Sequence, residues 1–216
     1  MFNLKNMKNK KIFLIFSLLA LTMVLAGCTN TNSNNMIQEK DQGALLRDTY
    51  SHAILKTNKG DIKLELFTKE TPLTTENFLK LAKNAYFDKT KFHRVIENFM
   101  IQGGDPLTKD DSLENRWGTG GPGYAIANED VKGLSNTRGT ISMANSGPDT
   151  GGSQFFINVA DNANLDFDKA PLTSQHTVFG QVVSGMEIVD EISQVSTGMY
   201  DRPLEAVVIE TVILEP

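Results

Sequence analysis

Cysteine is all but missing from this chain: Cys28 is the sole one among 216 residues. That excludes an intramolecular disulfide and any metal cluster built on several thiolates. Histidine is scarce too. His52, His93 and His176 lie 41 and 83 residues apart, so no pair has the close spacing of a common zinc motif. No metal site is expected. A basic excess is also lacking, with 21 Lys plus Arg against 26 Asp plus Glu. Nucleic acid needs a positive face for its phosphates and is excluded as a partner. Ser153, in GGSQF, lacks the second glycine of a nucleophile elbow, so covalent catalysis is not indicated. Gly118 to Gly123 (GTGGPG) fits the dinucleotide letter pattern. The required strand before it and helix after it are absent, and Pro122 interrupts it, so it reads as a surface loop and no cofactor is expected.

Long apolar runs are absent with one exception. Lys5, Lys8, Lys10 and Lys11 form a basic start with no acidic residue before Glu39, and IFLIFSLLALTMVLAG follows from Ile12. A basic region, an apolar stretch and small residues at its end describe a signal peptide, and the run is short for a stable membrane span. It ends in Leu25-Ala26-Gly27-Cys28, which resembles the bacterial lipoprotein signal, whose cysteine becomes the lipidated first residue of the mature chain. Residues 1–27 are therefore expected to be the signal peptide and Cys28 the lipidation site. The location expected is the extracytoplasmic face of a bacterial cell membrane, with acyl chains as anchor. Without residues 1–27 the chain carries 17 Lys plus Arg against 26 Asp plus Glu, a formal net charge of −9. Residues 28–50, rich in Asn, Thr and charge and without apolar period, read as a lipidated N-terminus and flexible tether. One domain is expected over 51–216.

Inside that domain the periods change quickly. Ile62, Leu64 and Leu66 alternate with Lys63 and Glu65, and Asn58 to Asp61 separates them from AILKT. This predicts a hairpin. Thr74 is expected to cap a helix through ENFLKLAKNAY, and Ser184 to Ile192 predicts a second. Short strands are expected in FHRVIENFMIQ, ISMA, QFFINV, HTVFGQVV and AVVIETVIL. Many short strands with two helices argue a barrel or sandwich.

One stretch stands out. FHRVIENFMIQGGD, Phe92 to Asp105, sets an arginine among large apolar side chains. A guanidinium stays charged, so burial is costly unless a carboxylate or a ligand meets it. Period two puts Met100 and Gln102 on one face of a strand, and Gln154 and Phe156 on one face of another. Two amide-plus-apolar faces with Arg94 nearby predict a peptide-binding groove.

FHRVIENFMIQGGD, GTGGPGY, SMANSGPDTGGSQFFI, HTVFGQVVSGMEIVDEI and DRPLEAVVIETV together resemble the cyclophilin family of peptidyl-prolyl cis-trans isomerases, in unbroken order from about Ala53 to Glu215. The resemblance implies a mostly β fold, a closed eight-stranded antiparallel β-barrel capped by two α-helices. It implies that Arg94 is catalytic. Phe99, Met100, Phe156, Leu165 and His176 would form the proline pocket, and Gln102, Ala144, Asn145 and Gln154 would hold the substrate backbone. Strict alternation turns Phe99 away from Met100, so a bulge or strand end has to bring it inward. Arg94 is expected to be unpaired, waiting for a substrate amide. The substrates implied are proline-containing unfolded or partly folded exported proteins, acted on by a monomer.

Two departures from the family are visible. Asn164 stands where the family commonly has an aromatic residue, which weakens the expectation of cyclosporin binding, and the segment LTSQ before His176 is longer than in the shortest members. Two other classes share features with this chain. A non-catalytic chaperone could use the same groove, but Arg94, Phe99, Gln102 and Phe156 are all intact. A solute-binding lipoprotein would share the anchor, but this chain is too short and too β-rich for a two-domain α/β protein.

Overall fold

Alternation of apolar residues builds the first hairpin. In β1 (His52–Thr57) and β2 (Gly60–Leu66), Ala53, Leu55, Ile62 and Leu64 are fully buried. The strands pair antiparallel with Ala53 opposite Leu64 and Leu55 opposite Ile62, so the four share the inner face. The Thr57 hydroxyl closes the turn, accepting from the N–H groups of Lys59 and Gly60 at 3.1 Å each. The computed structural model describes residues 44–170 and 175–216. The expected signal peptide, Cys28 and most of the expected tether lie outside those residues, as do Leu172 to Ser174 before His176.

The other strands are β3 (Thr90–Lys91), β4 (Arg94–Ile96), β5 (Met100–Gly103), β6 (Thr140–Met143), β7 (Phe155–Asn158), β8 (Val178–Ser184) and β9 (Val208–Glu215). They form one antiparallel sheet in the order β3-β9-β1-β2-β8-β6-β7-β5-β4. Nine strands replace the eight expected, and the cause is local. Residues 90–96 are one run that changes partner midway. Phe92 N–H donates to the Val207 carbonyl at 2.9 Å, whereas His93 N–H donates to the Gln102 carbonyl at 3.0 Å. The two ends of the sheet, β3 and β4, are thus joined by two residues of chain. Counted as one bent strand they restore eight and close the barrel. Closure also demands close backbone approach: a Cβ on Gly180 in β8 would sit 2.5 Å from the Glu65 carbonyl oxygen.

Two α-helices cover the barrel. α1 (Pro72–Lys83) buries Phe78, Leu79, Leu81 and Ala82, and α2 (Met186–Ser193) buries Val189 and Ile192. Thr74 is not the N-cap of α1. The helix starts earlier, with Pro72 in its first turn and Thr71 at the cap position making no side-chain cap bond. A carboxylate from a distant loop does the capping instead. Glu129 accepts from the N–H groups of Leu73 at 3.0 Å and Thr74 at 2.7 Å, and from the Thr74 hydroxyl at 2.7 Å. It thereby satisfies helix-end donors and places negative charge at the helix N-terminus.

Aromatic packing fills the interior beneath α1. Phe78 stacks on Phe87 at 5.1 Å between centroids, and both meet Phe155 edge-on at 5.8 and 5.6 Å. Truncating one such ring to alanine costs about 3–5 kcal/mol. The fold also reaches further back than the expected domain start at residue 51. Leu46 and Tyr50 pack against the core, and Arg47 is tied to α1 through its N–H to Glu76 Oε2 at 3.1 Å and its Nη1 to the Pro72 carbonyl at 3.2 Å. Residues 46–50, expected to be part of the tether, therefore belong to the fold.

Candidate active site

Strand register assembles the centre of the site. Arg94 on β4 lies opposite Gln102 on β5, and Gln102 lies opposite Phe156 on β7. A charged donor, an amide and an aromatic ring therefore stand in one row across three strands. Ile96 opposite Met100 forms the next row along β4 and β5. Phe99 is brought in by a strand end. Asn98 adopts a left-handed φ of 57°, β5 begins only at Met100, and Phe99 N–H bonds back to the Ile96 carbonyl at 3.2 Å. Asparagine tolerates that backbone conformation better than most residues.

Arg94, Phe99, Met100, Gln102, Ala144, Asn145, Phe156, Leu165 and His176 line a single cavity of about 230 Å³. Nine of the ten residues singled out for substrate or catalysis thus converge, although they span five separate stretches of chain. Gln154 is the exception. It borders a neighbouring groove of about 660 Å³ that shares Gln102, Ala144 and Asn145 with the cavity. Its amide is already engaged: Nε2 donates to the carbonyls of Gly118 at 3.0 Å and Gly120 at 2.8 Å, and Oε1 accepts from Gln102 Nε2 at 3.0 Å. Gln154 therefore fixes Gln102 against the glycine loop, and Gln102 Oε1 keeps its acceptor capacity toward the cavity.

That loop is itself built on a buried carboxylate. Asp105, fully buried, accepts from the N–H groups of Leu107, Gly118 and Gly120 at 2.7, 2.5 and 3.1 Å. A Cβ on Gly120 would fall 2.1 Å from Asp105 Oδ1, so glycine is required there. The G-x-G-x-x-G lettering belongs to a loop wrapped around Asp105, as its sequence context indicated.

The pocket floor is held by polar groups that never reach it. Asn162 Nδ2 donates to the Phe99 carbonyl at 2.8 Å and to Asn158 Oδ1 at 2.8 Å. Asn158, Asn136, Ser142 and Asp166 continue the buried network. His176 donates from Nδ1 to the Met143 carbonyl at 2.9 Å and stands edge-on to Phe156 at 5.3 Å. Burial holds its pKa below the ordinary 6.5, against the opposing pull of that hydrogen bond. At neutral pH it is an uncharged wall of the pocket. His93 does not line this cavity. It is buried with neither ring nitrogen hydrogen-bonded among the described residues, and burial lowers its pKa in turn.

Arg94 differs from expectation. Its side chain is 41% exposed rather than enclosed, and it is not unpaired: Nε lies 3.4 Å from Asp201 Oδ2. Asp201 and Asn162 went unassigned in the sequence. Asp201 opens DRPLEAVVIETV, but nothing local in that string announces an ion pair with a residue so far away.

A closed antiparallel barrel that sets an arginine beside a pocket holding two phenylalanines and an amide-lined groove defines a peptide-binding barrel. Among the described residues no group of His, Cys, Asp or Glu could hold a metal ion. Residues 52–213 match the family described as cyclophilin type peptidyl-prolyl cis-trans isomerase/CLD, and the chain belongs to it. It is 43% identical to peptidyl-prolyl cis-trans isomerase B of Streptomyces anulatus, over 76% of this chain and 96% of that one. It is 44% identical to the peptidyl-prolyl cis-trans isomerase of Acinetobacter baylyi, over 68% and 73% respectively. The crystal structure of a Cryptosporidium parvum cyclophilin type isomerase superposes with a TM-score of 0.67 at 30% identity, covering 77% of this chain and 98% of its own. The same protein was also solved in the presence of the dipeptide Ala-Pro, with a TM-score of 0.66.

Proposed function

We propose that this isomerase accelerates X-Pro rotation with Arg94 as the catalytic group, acting on exported chains from a lipid anchor at Cys28. The observation that carries the site is the convergence of Arg94 and the apolar residues Phe99, Met100, Phe156 and Leu165 on one cavity. Rotation about an X-Pro bond crosses roughly 20 kcal/mol, because amide resonance is lost at the twisted midpoint. No covalent step is required. Phe99, Met100, Phe156, Leu165 and neutral His176 hold the proline ring away from water. Gln102 and Asn145, with the backbone of Ala144, hold the flanking chain, and Gln154 steadies Gln102.

As resonance breaks, the proline nitrogen regains a lone pair that accepts a hydrogen bond. A guanidinium already in place donates to it, and the interaction strengthens as the peptide excludes water. The relative solved with Ala-Pro supports this choice of ligand. An isomerisation assay on a short Ala-Pro peptide, comparing the native chain with Arg94→Ala, tests the assignment. Unchanged turnover in a folded variant favours a holding module over a catalyst.

Location rests on sequence. The basic start, the apolar run and LAGC support cleavage before Cys28 and acylation of its thiol. With a formal net charge of −9 after cleavage, the body is repelled by anionic headgroups, so the lipid keeps it at the surface. That one chain lines the whole cavity supports a monomer as the acting unit.

A further inference from the structure

The segment Ser196 to Leu204 does more than connect α2 to β9. It folds back on itself: Gly198 N–H donates to the Arg202 carbonyl at 2.7 Å and Leu204 N–H to the Ser196 carbonyl at 2.9 Å. At its tip Tyr200 and Asp201 both take left-handed backbone angles, with φ of 62° and 58°. Two successive non-glycine residues in that region are strained, and the strain persists only where surroundings over-determine it. Glycine would relieve it, so side chains are being used. Arg202 supplies the anchor. Its guanidinium lies 5.6 Å from the ring of Trp117 and 5.1 Å from that of Tyr200, and Nη1 reaches Glu114 Oε1 at 3.4 Å. With the loop pinned in this way, the twist at residues 200 and 201 delivers the Asp201 carboxylate to Arg94 Nε.

The ion pair does little for the fold, because both partners are about half exposed and such pairs contribute little to stability. It does restrict a side chain that otherwise samples many rotamers. Arg94 sits near the start of a three-residue strand, and among the described residues Asp201 is the one charged partner of its guanidinium. A carboxylate on the Nε edge leaves the Nη groups to face a substrate amide. A donor aimed at a transition state has to be in place beforehand, and small misplacements are costly.

We infer that Asp201 is a positioning residue for Arg94, held in place by the loop Ser196–Leu204. The inference rests on Arg94 being the catalytic group. It assigns Asp201 a role in turnover without contact with the reacting bond.

Asp201→Asn is the informative change, since asparagine keeps the volume and tolerates a left-handed backbone while removing the charge. Asp201→Gly removes the carboxylate and the backbone strain together. Both are expected to lower kcat by about tenfold for an Ala-Pro peptide, with KM nearly unchanged. The same effect on kcat from two variants that differ in backbone strain separates positioning from loop stability. The decisive measurement is a double-mutant cycle on the full chain. With Arg94→Ala already present, Asp201→Asn is expected to change turnover less than twofold. A loss of the same size in both backgrounds, or no loss in the native one, overturns the positioning role alone. If Arg94→Ala itself retains turnover, the catalytic assignment fails first and this inference with it.

Discussion

Replacing Arg94 separates charge from geometry at the site. Removal of one preorganised transition-state donor costs about 2.7–4 kcal/mol, a hundred- to thousandfold in rate. The Arg94 side chain is 41% exposed, so water screens it more than in a sealed site, and the expected loss lies at the lower end. Arg94→Ala should therefore lower kcat/KM by about a hundredfold in an isomerisation assay on an Ala-Pro peptide. Peptide affinity should change less, because Phe99, Met100, Phe156 and the Gln102–Gln154 amide pair remain. Arg94→Lys is the sharper comparison. In the proposed mechanism the guanidinium offers one edge to Asp201 and another to substrate, whereas an ammonium at the end of a flexible stem cannot hold both in a fixed plane. Lysine is expected to fall closer to alanine than to arginine. The half-exposed ion pair contributes about 0–1 kcal/mol, so thermal melts should shift by less than about 4 °C. Near-native turnover in Arg94→Ala with a matching melt would refute the reasoning, and near-native turnover in Arg94→Lys would show that charge suffices.

Three further outcomes are expected. Cys28→Ser should release the protein from washed membranes, and its retention there at the native level would count against a lipid anchor. Asn164, exposed beside the pocket residue Leu165, should leave cyclosporin binding weaker than in relatives with tryptophan at that position, by about 1–3 kcal/mol or ten- to a hundredfold. Calorimetry on Asn164→Trp should recover affinity, and no gain would mean that the loop does not align as supposed. Burial holds the pKa values of His93 and His176 below the ordinary 6.5, so the unfolded chain binds more protons as pH drops past that value. Their contribution is complete above about 6.5 and lost as pH falls through the folded-state values, so melts at pH 5 should lie below those at pH 7.5. His93→Phe should flatten part of that slope, and an unchanged slope would remove His93 from the account.

Short-range patterns were the legible part of this chain. Ile62, Leu64 and Leu66 announced the first hairpin because burial on one face writes itself into a period of two. Convergence of Arg94, Gln102 and Phe156 was legible through family resemblance, with strand register supplying the physical reason. The features that escaped depend on partners far along the chain. Glu129 caps α1 from a loop, so Thr74, a good capping residue by type, lies inside the helix. The split of residues 90–96 between β9 and β5 has no composition signal, because each half reads as ordinary strand. Asp201 is a charged residue in a polar turn until the fold carries it to Arg94.

The place of β9 in the sheet has a consequence for how this molecule comes into being. Val208–Glu215, late in the chain, inserts between β3 and β1, and neither strand has a partner on that side until it arrives. During vectorial synthesis the rest of the barrel emerges first and must wait with two open strand edges, which are templates for pairing with other chains. Only when residues up to about 215 have cleared the exit does the ring of strands become continuous. A barrel built this way passes through an exposed, unfinished state that lasts until its final strand is in place.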